Sequence, residues 1–212
     1  MKPSPPPSSI SGPETLGVIL AGGRSRRMGR DKALALLDGR TLLDWVAAAV
    51  SQVVSEVVVV GRQEAEGIRA IPDALPGGRG PSAGIVTGLT AAGGGPVLVV
   101  GVDQPWVRPS TLAALLGVRP QPAIPMDGQY QVTCATYPAT SRSALTAIAR
   151  DQRSLQPEAP LLEGTVVSPG RWRSWGEDGR SWFSVDSPED LREGLRRYGV
   201  PDASSRHPGY TG

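Results

Sequence analysis

The fold is decided by the stretch Leu20-Ala21-Gly22-Gly23-Arg24-Ser25-Arg26-Arg27-Met28-Gly29-Arg30-Asp31-Lys32. This stretch begins at the end of an apolar run, 16–20, that predicts a buried strand. Two adjacent glycines allow the backbone to turn sharply and leave its N–H groups free to face a ligand. Five cations lie in the loop, at positions 24, 26, 27, 30 and 32. Bare backbone donors and clustered positive charge after a strand are typical of a polyphosphate site, whereas a Gly-Gly pair alone would indicate a turn with solvated arginines. We therefore expect a nucleotide against the backbone of Leu20, Ala21, Gly22 and Gly23.

The composition is that of one domain long enough for a sizeable core, with 212 residues. Because 22 Lys and Arg nearly balance 20 Asp and Glu, the chain lacks the overall basic character of a nucleic-acid-binding protein. The single cysteine, Cys134, excludes an internal disulfide and fits a reducing cytosol, so we expect a cytoplasmic protein. One histidine and one cysteine argue against a His/Cys zinc site, and any metal should be a hard cation held by carboxylates.

The two ends of the chain differ in composition from its middle. Residues 1–14 are rich in Pro and Ser and lack the apolar segment of a secretory signal, so we expect a disordered leader. Residues 201–212 indicate a flexible tail, which leaves a folded domain over 15–200. No apolar stretch of the sequence is long enough to span a bilayer, and we expect no membrane partner.

Alternating strand and helix patterns predict an α/β fold: a single-domain, three-layer, Rossmann-like sandwich with a mostly parallel sheet and helices on both faces. Thr41 with Asp44 three positions later predicts a capped helix start, and Ser187-Pro188 predicts another. Asp127-Gly128 predicts a turn between two paired strands. Beyond 16–20, the predicted strands are 56–60, 69–71, 97–102, 123–126 and 131–137, and the predicted helices are 42–53, 82–92, 109–116, 141–150 and one opening at 188.

The basic stretch resembles the opening motif L-A-G-G-x-x-x-R-M-G-x-(x)-K of nucleotidyltransferases with the sugar-nucleotide-transferase fold. Within that group it most resembles the molybdenum cofactor guanylyltransferases, and the resemblance extends from Leu16 to Tyr198. It implies transfer of GMP from GTP to molybdopterin, with or without bound molybdenum, which yields the guanine dinucleotide cofactor and pyrophosphate. It also implies Mg²⁺ as cofactor, and molybdoenzymes or their chaperones as partners that receive the product.

Ligands of open parallel sheets bind at the carboxyl ends of strands, where two candidate catalytic groups lie. Asp103 directly follows the strand 97–102, and a carboxylate there can hold Mg²⁺ against phosphates. The resemblance agrees, because the family carries Asp-x-Pro here and assigns it the metal; the alternative is a capping or turn aspartate before a proline. Lys32 matches the lysine of the motif and, with Arg27, is expected to contact the phosphates. Three further arginines of the loop are either phosphate contacts or solvated charges: Arg24, Arg26 and Arg30.

Further site residues follow from the resemblance. Asp73 matches an aspartate that contacts the nucleoside, and Gly80 and Pro81 open Gly80-Pro81-Ser82-Ala83-Gly84, which is similar to the family's G-P-L-A-G loop. Ser82 stands where leucine is usual, and Gly61-Arg62-Gln63 stands where the family has an asparagine. Ser184–Leu191 resembles the family's N-x-[ND]-T-P-E-[DE]-L, so Asp186 is a second candidate for the metal, or simply the residue before a capped helix.

Alternatives remain open at this point. A cytidylyltransferase or a sugar-phosphate nucleotidyltransferase would share the fold, and a regulatory protein that binds nucleotide without turnover is a candidate of another class. The absence of G-x-G-x-x-G after the first strand argues against a dehydrogenase, and the absence of G-x-x-x-x-G-K-[ST] against a P-loop GTPase. We expect Trp172, Trp175 and Trp182 to pack in the core rather than hold a pterin, and Cys134 to be a buried small hydrophobe.

Overall fold

A computed structural model of the protein describes residues 14–22, 31–75 and 80–202. Nearly all of the predicted leader and most of the predicted tail lie outside these residues. So do several residues expected to bind phosphate: Gly23, Arg24, Arg26, Arg27 and Arg30.

The described residues contain ten strands and seven α-helices. The strands are β1 Leu16–Leu20, β2 Leu36–Leu37, β3 Arg40–Thr41, β4 Val57–Val60, β5 Arg69–Ile71, β6 Val97–Gly101, β7 Ala123–Asp127, β8 Gln129–Tyr130, β9 Cys134–Tyr137 and β10 Thr165–Val167. The helices are α1 Leu42–Val50, α2 Pro81–Ala91, α3 Pro109–Leu116, α4 Arg142–Arg150, α5 Leu155–Glu158, α6 Pro169–Arg173 and α7 Pro188–Tyr198.

The main sheet places β1 near its centre, in the order β10-β7-β9-β6-β1-β4-β5. β1 pairs in parallel with β4 and with β6, and Ile19 lies between Val59 and Val100. β9 runs antiparallel to both β6 and β7, whereas β10 is parallel to β7. The carboxyl ends of β1, β4, β5 and β6 therefore meet at one edge of the sheet.

Side chains of the central strands alternate between two apolar layers. Ile19, Val59 and Leu98 face the layer that contains α1 and α3. Val18 and Val58 face the opposite layer, which contains α2 and α4. Because both faces are covered, the central strands are continuous apolar runs, as expected for a parallel sheet. The predicted three-layer α/β fold is confirmed.

Several local predictions are confirmed. Thr41 and Asp44 form a reciprocal capping box at the start of α1, and the Ser187 side chain accepts a hydrogen bond from the backbone of Asp190 at the start of α7. Cys134 is fully buried, and burial raises the pKa of its thiol. The rings of Trp172 and Trp182 pack edge to face at 5.1 Å, and both side chains lie in the core with Trp175 against them.

The predicted pairing in the second half is partly wrong. Asp127-Gly128 does form a turn, but directly across it β7 pairs with the short β8. The predicted pairing with the strand 131–137 is confirmed only at Ala123, which lies opposite Thr136 of β9. The chain turns again where the backbone of Cys134 donates to Gln131 O at 2.9 Å. It then crosses to β6, along which β9 has most of its pairs. α1 also ends three residues early, at Val50, where a turn replaces the last predicted residues.

None of the helices in the described ranges is both long and apolar enough to cross a bilayer.

Trp106 attaches α7 to the rest of the domain. Its side chain is 2% exposed, its Nε1 donates to the backbone oxygen of Gly199 at 2.8 Å, and its ring packs edge to face on Phe183. Gly194 of α7 lies directly against the indole, since a Cβ at that position would overlap the ring. The absence of a side chain at 194 is therefore what allows α7 to approach this closely.

We expect Gly194→Ala to lower the free energy of unfolding by about 1–3 kcal/mol, because the added methyl group overpacks a site with no room. Thermal denaturation followed by circular dichroism measures the change. Gly170→Ala in α6 is the matched control, since a Cβ there would meet no described atom within 4 Å. Equal melting temperatures for the two variants would contradict this description of the α7 contact.

Candidate active site

The backbone around Leu20 is held on both sides where β1 ends. The N–H of Ala21 donates to Val60 O at 2.9 Å, and the N–H of Val102 donates to Leu20 O at 3.0 Å. Leu20 and Ala21 are thus fixed between β4 and β6 at the carboxyl edge, as expected for a loop that approaches a ligand with its backbone.

Gly22 and Gly61 allow two neighbouring loops to touch. Gly61 has a φ of +92°, and a Cβ there would collide with the backbone of Gly22. A Cβ at Gly22 would in turn lie 3.1 Å from the Gly61 Cα and 3.3 Å from Oδ2 of Asp73. Gly61 therefore needs glycine both for its conformation and for this contact, a requirement that sequence reasoning missed.

Asp73 lies between the loop after β1 and the start of α2. Its Oδ2 is the atom close to Gly22, and its Oδ1 would lie 3.9 Å from a Cβ at Gly84. Partial desolvation raises the pKa of the Asp73 carboxyl, although the residue is exposed. The structure thus brings Asp73 together with Leu20–Gly22, as the resemblance implied.

The start of α2 completes this side of the site. Gly80 precedes the helix with a φ of +80°, and Pro81 occupies its first turn. Gly84 permits close packing on β1, because a Cβ there would lie 2.7 Å from Cδ2 of Leu20. Ser82 is buried, and its hydroxyl has no hydrogen-bond partner among the described residues.

Lys32 projects from a short 3₁₀ turn, Lys32–Leu34, whose position is fixed by Asp31. One carboxylate oxygen of Asp31 accepts from the backbone of Ala33 at 3.1 Å, and the other accepts from Arg62 Nη1 at 2.6 Å. Arg62 follows Gly61 at the end of β4, so this ion pair ties the exit of the basic loop to the neighbouring strand. The pair joins residues 31 positions apart, and neither side chain alone carries a signal that would predict it.

The Lys32 ammonium joins two carboxylates from distant parts of the chain. Its Nζ lies 2.6 Å from Oδ1 of Asp186 and 3.5 Å from Oδ2 of Asp103. The Lys32 side chain is 16% exposed, that of Asp103 27% and that of Asp186 58%. The structure therefore brings the three predicted residues into one charged cluster that solvent can still reach.

Asp103 is bound to the segment that carries Asp186. The hydroxyl of Ser184 donates to Asp103 Oδ2 at 2.8 Å, and the N–H of Val185 donates to Asp103 O at 2.8 Å. Asp103 does not cap a helix, because α3 begins at Pro109 with Arg108 before it. Asp186 does not cap α7 either, since Ser187 does so. Neither carboxylate thus caps a helix, although Asp103 does lie in a turn, as the alternative interpretation expected.

A hard divalent cation fits this donor set. Asp103 and Asp186 present carboxylate oxygens to one position, where a single cation already joins them. No group of three or more His, Cys, Asp or Glu side chains able to hold a metal occurs in residues 14–22, 31–75 and 80–202. Mg²⁺ is commonly held by one or two carboxylates together with substrate phosphates, which is the kind of site that two carboxylates can provide.

Glu177 holds the chain that returns to the site, and sequence reasoning missed it. Its buried carboxylate accepts hydrogen bonds from the hydroxyls of Thr111 and Ser181 and from backbone N–H groups of Asp178, Gly179 and Ser181. These bonds connect α3 with the segment that leads to Ser184. In the sequence, Glu177-Asp178-Gly179 indicates only a turn, so nothing pointed to a buried carboxylate.

Comparison with known proteins identifies the family to which the chain is similar. The family model described as the MobA-like NTP transferase domain matches residues 17–163. The molybdenum cofactor guanylyltransferase of Rhizobium leguminosarum is 34% identical over 198 residues, which cover 89% of this chain and 95% of that protein. A probable molybdenum cofactor guanylyltransferase of Pelotomaculum thermopropionicum is 33% identical over 189 residues, covering 84% and 90%.

The fold also matches a solved structure of this kind. Molybdopterin-guanine dinucleotide biosynthesis protein A from Archaeoglobus fulgidus superposes with a TM-score of 0.71 at 25% identity, over 86% of this chain and 97% of that one. Because the similarity in sequence and in fold extends over most of each chain compared, the protein belongs to the molybdenum cofactor guanylyltransferases, a family of nucleotidyltransferases.

Proposed function

We propose that the protein transfers GMP from GTP to molybdopterin and releases pyrophosphate. An oxygen of the terminal phosphate of molybdopterin attacks the α-phosphorus of GTP, the bond from that phosphorus to the bridging oxygen breaks, and pyrophosphate leaves. The observation that carries the proposal is the cluster of Lys32, Asp103 and Asp186 at the edge where β1 and β6 end. Such transfers depend mainly on positioning and on neutralisation of phosphate charge.

The two sides of the site are assigned different parts of the nucleotide. We assign the phosphates to the backbone of Leu20–Gly22 and to the Lys32 ammonium. The motif adds Gly23 and Arg27 to the residues that contact the phosphates. Asp73, Gly80 and Pro81 lie on the side assigned to the nucleoside. Mg²⁺, when bound by Asp103 and Asp186, would neutralise charge on the phosphates. Ser184 supports this role of Asp103, because its hydroxyl holds one carboxylate oxygen in place.

The reading as a regulatory protein without turnover is not favoured, because Lys32, Asp103 and Asp186 are all present and converge. Ser82 bears on the choice of base, because it stands where the resemblance predicts leucine and its hydroxyl has no hydrogen-bond partner among the described residues. We also propose a folded domain over 15–200, a cytoplasmic location, and molybdoenzymes or their chaperones as recipients of the product.

The test of the function is pyrophosphate release with molybdopterin as acceptor. We expect GTP to be preferred over CTP and ATP by at least about tenfold in kcat/KM, or ~1.4 kcal/mol, because mismatched polar atoms of a wrong base stay unpaired. A higher kcat/KM with CTP would make the protein a cytidylyltransferase. No release with any nucleotide would overturn the proposal.

Lys32→Ala should lower kcat by about a hundredfold or more, because the lost ammonium neutralises phosphate charge in the transition state. The melting temperature should stay close to that of the wild type, since the side chain is not part of the core. Arg69→Ala is the matched control: Arg69 also pairs with a carboxylate, Glu56, but both side chains are 61% exposed. If both variants turn over at the wild-type rate, Lys32 does not act on the phosphates.

The Asp31–Arg62 ion pair should matter through the position of Lys32. Asp31→Asn keeps an oxygen to accept from Ala33 N but loses the charge, and Arg62→Gln loses the partner. We expect each variant to lower kcat by roughly two- to fivefold, and the double variant to lose no more than either single one. Steady-state kinetics of the four proteins measures this coupling, and losses that multiply would show that the two side chains act separately.

A further inference from the structure

We propose that the Lys32 ammonium is the resident cation of the Asp103–Asp186 pair in the enzyme without nucleotide, and that it leaves this position when a divalent cation enters together with the nucleotide. The inference rests on the proposed function, in which Mg²⁺ uses these carboxylates. It adds an exchange of cations at one position, performed by a side chain of the protein itself.

The first observation is that Lys32 bonds to the same groups that would hold the metal. Its Nζ lies 2.6 Å from Asp186 Oδ1 and 3.5 Å from Asp103 Oδ2. Ser184 Oγ already donates to that oxygen of Asp103, at 2.8 Å. The two carboxylates carry a charge of −2, and the ammonium reduces the charge of the cluster to −1. It also occupies acceptor oxygens that a metal needs.

The second observation is the kind of cation found here. The chain has 22 Lys and Arg, of which only residues 2 and 32 are lysines. Lys32 is therefore the sole lysine of the described residues. An ammonium on a four-carbon stem is a compact point charge that can rotate from one anion to another, whereas a guanidinium binds in a fixed fork. The exchange requires a mobile cation beside Asp103 and Asp186, and the residue found there is a lysine, Lys32.

The exchange follows from competition between charges. Without nucleotide, the ammonium offsets half of the charge of the two carboxylates and reduces their mutual repulsion, and a free divalent cation has to displace it. A triphosphate offers the ammonium a new anionic partner and supplies further oxygens for the metal. The carboxylates are then released to the divalent cation only in the presence of nucleotide.

Binding of Mn²⁺ in the absence of nucleotide, measured by electron paramagnetic resonance, tests the exchange. The variant is Lys32→Met, which keeps an unbranched side chain only one atom shorter and removes its charge. We expect it to bind Mn²⁺ at least about tenfold more tightly than the wild type, because the competing cation is gone. Adding Asp186→Asn or Asp103→Asn to Lys32→Met should abolish the gain.

Arg69→Met is the control, because it removes one positive charge from an exposed ion pair on β5 and should leave Mn²⁺ affinity unchanged. Unchanged or weaker Mn²⁺ binding by folded Lys32→Met would overturn the exchange. So would a gain that survives Asp186→Asn and Asp103→Asn. A gain that both substitutions abolish, in a protein that releases no pyrophosphate with any nucleotide, would support the exchange and refute the proposed function. No gain in Mn²⁺ affinity, in a protein that does release pyrophosphate with molybdopterin and GTP, would refute the exchange and leave the proposed function standing.

Discussion

The ion pairs of Lys32 join parts of the chain that are far apart in sequence. One pair spans 71 residues, to Asp103, and the other spans 154, to Asp186. The ammonium between the two carboxylates reduces their mutual repulsion. Two features of the fold bring these three side chains together. β1 and β6 are neighbours in the sheet, and Ser184 and Val185 are hydrogen-bonded to Asp103 at the end of β6.

On the other side of the site, near Asp73, close packing depends instead on glycines, which have no side chain. Gly22, Gly61 and Gly84 are the positions where backbone segments from β1, β4 and α2 approach too closely to admit a Cβ without strain. Asp73 then lies beside Gly22 and Gly84. The two sides thus follow different physical rules, steric on one and electrostatic on the other, and the backbone around Leu20 connects them.

The first half of the fold could be predicted from the sequence because its signals are local. The valine run of β4 and the capping box of Thr41 and Asp44 each indicate their structure within a few residues. The pairing of β9 with β7 was predicted, but its more extensive pairing with β6 was not, because a short strand after a turn carries no information about which further edge it will join. Lys32, Asp103 and Asp186 were found through motif resemblance, whereas Glu177, Arg62 and Gly61 were missed because their roles depend on residues distant in the sequence.

The late position of Asp186 has a consequence for synthesis of the protein. A ribosome makes β1, Lys32 and Asp103 well before it reaches Asp186, and both Glu177 and Ser184 also lie in this late part of the chain. A growing chain therefore holds Lys32 and Asp103 while it still lacks the second carboxylate and the bonds that orient the first. A chain that ends before Asp186 would lack one carboxylate of the charged cluster, so the order of the residues delays assembly of the cluster until residues 184–186 have been made.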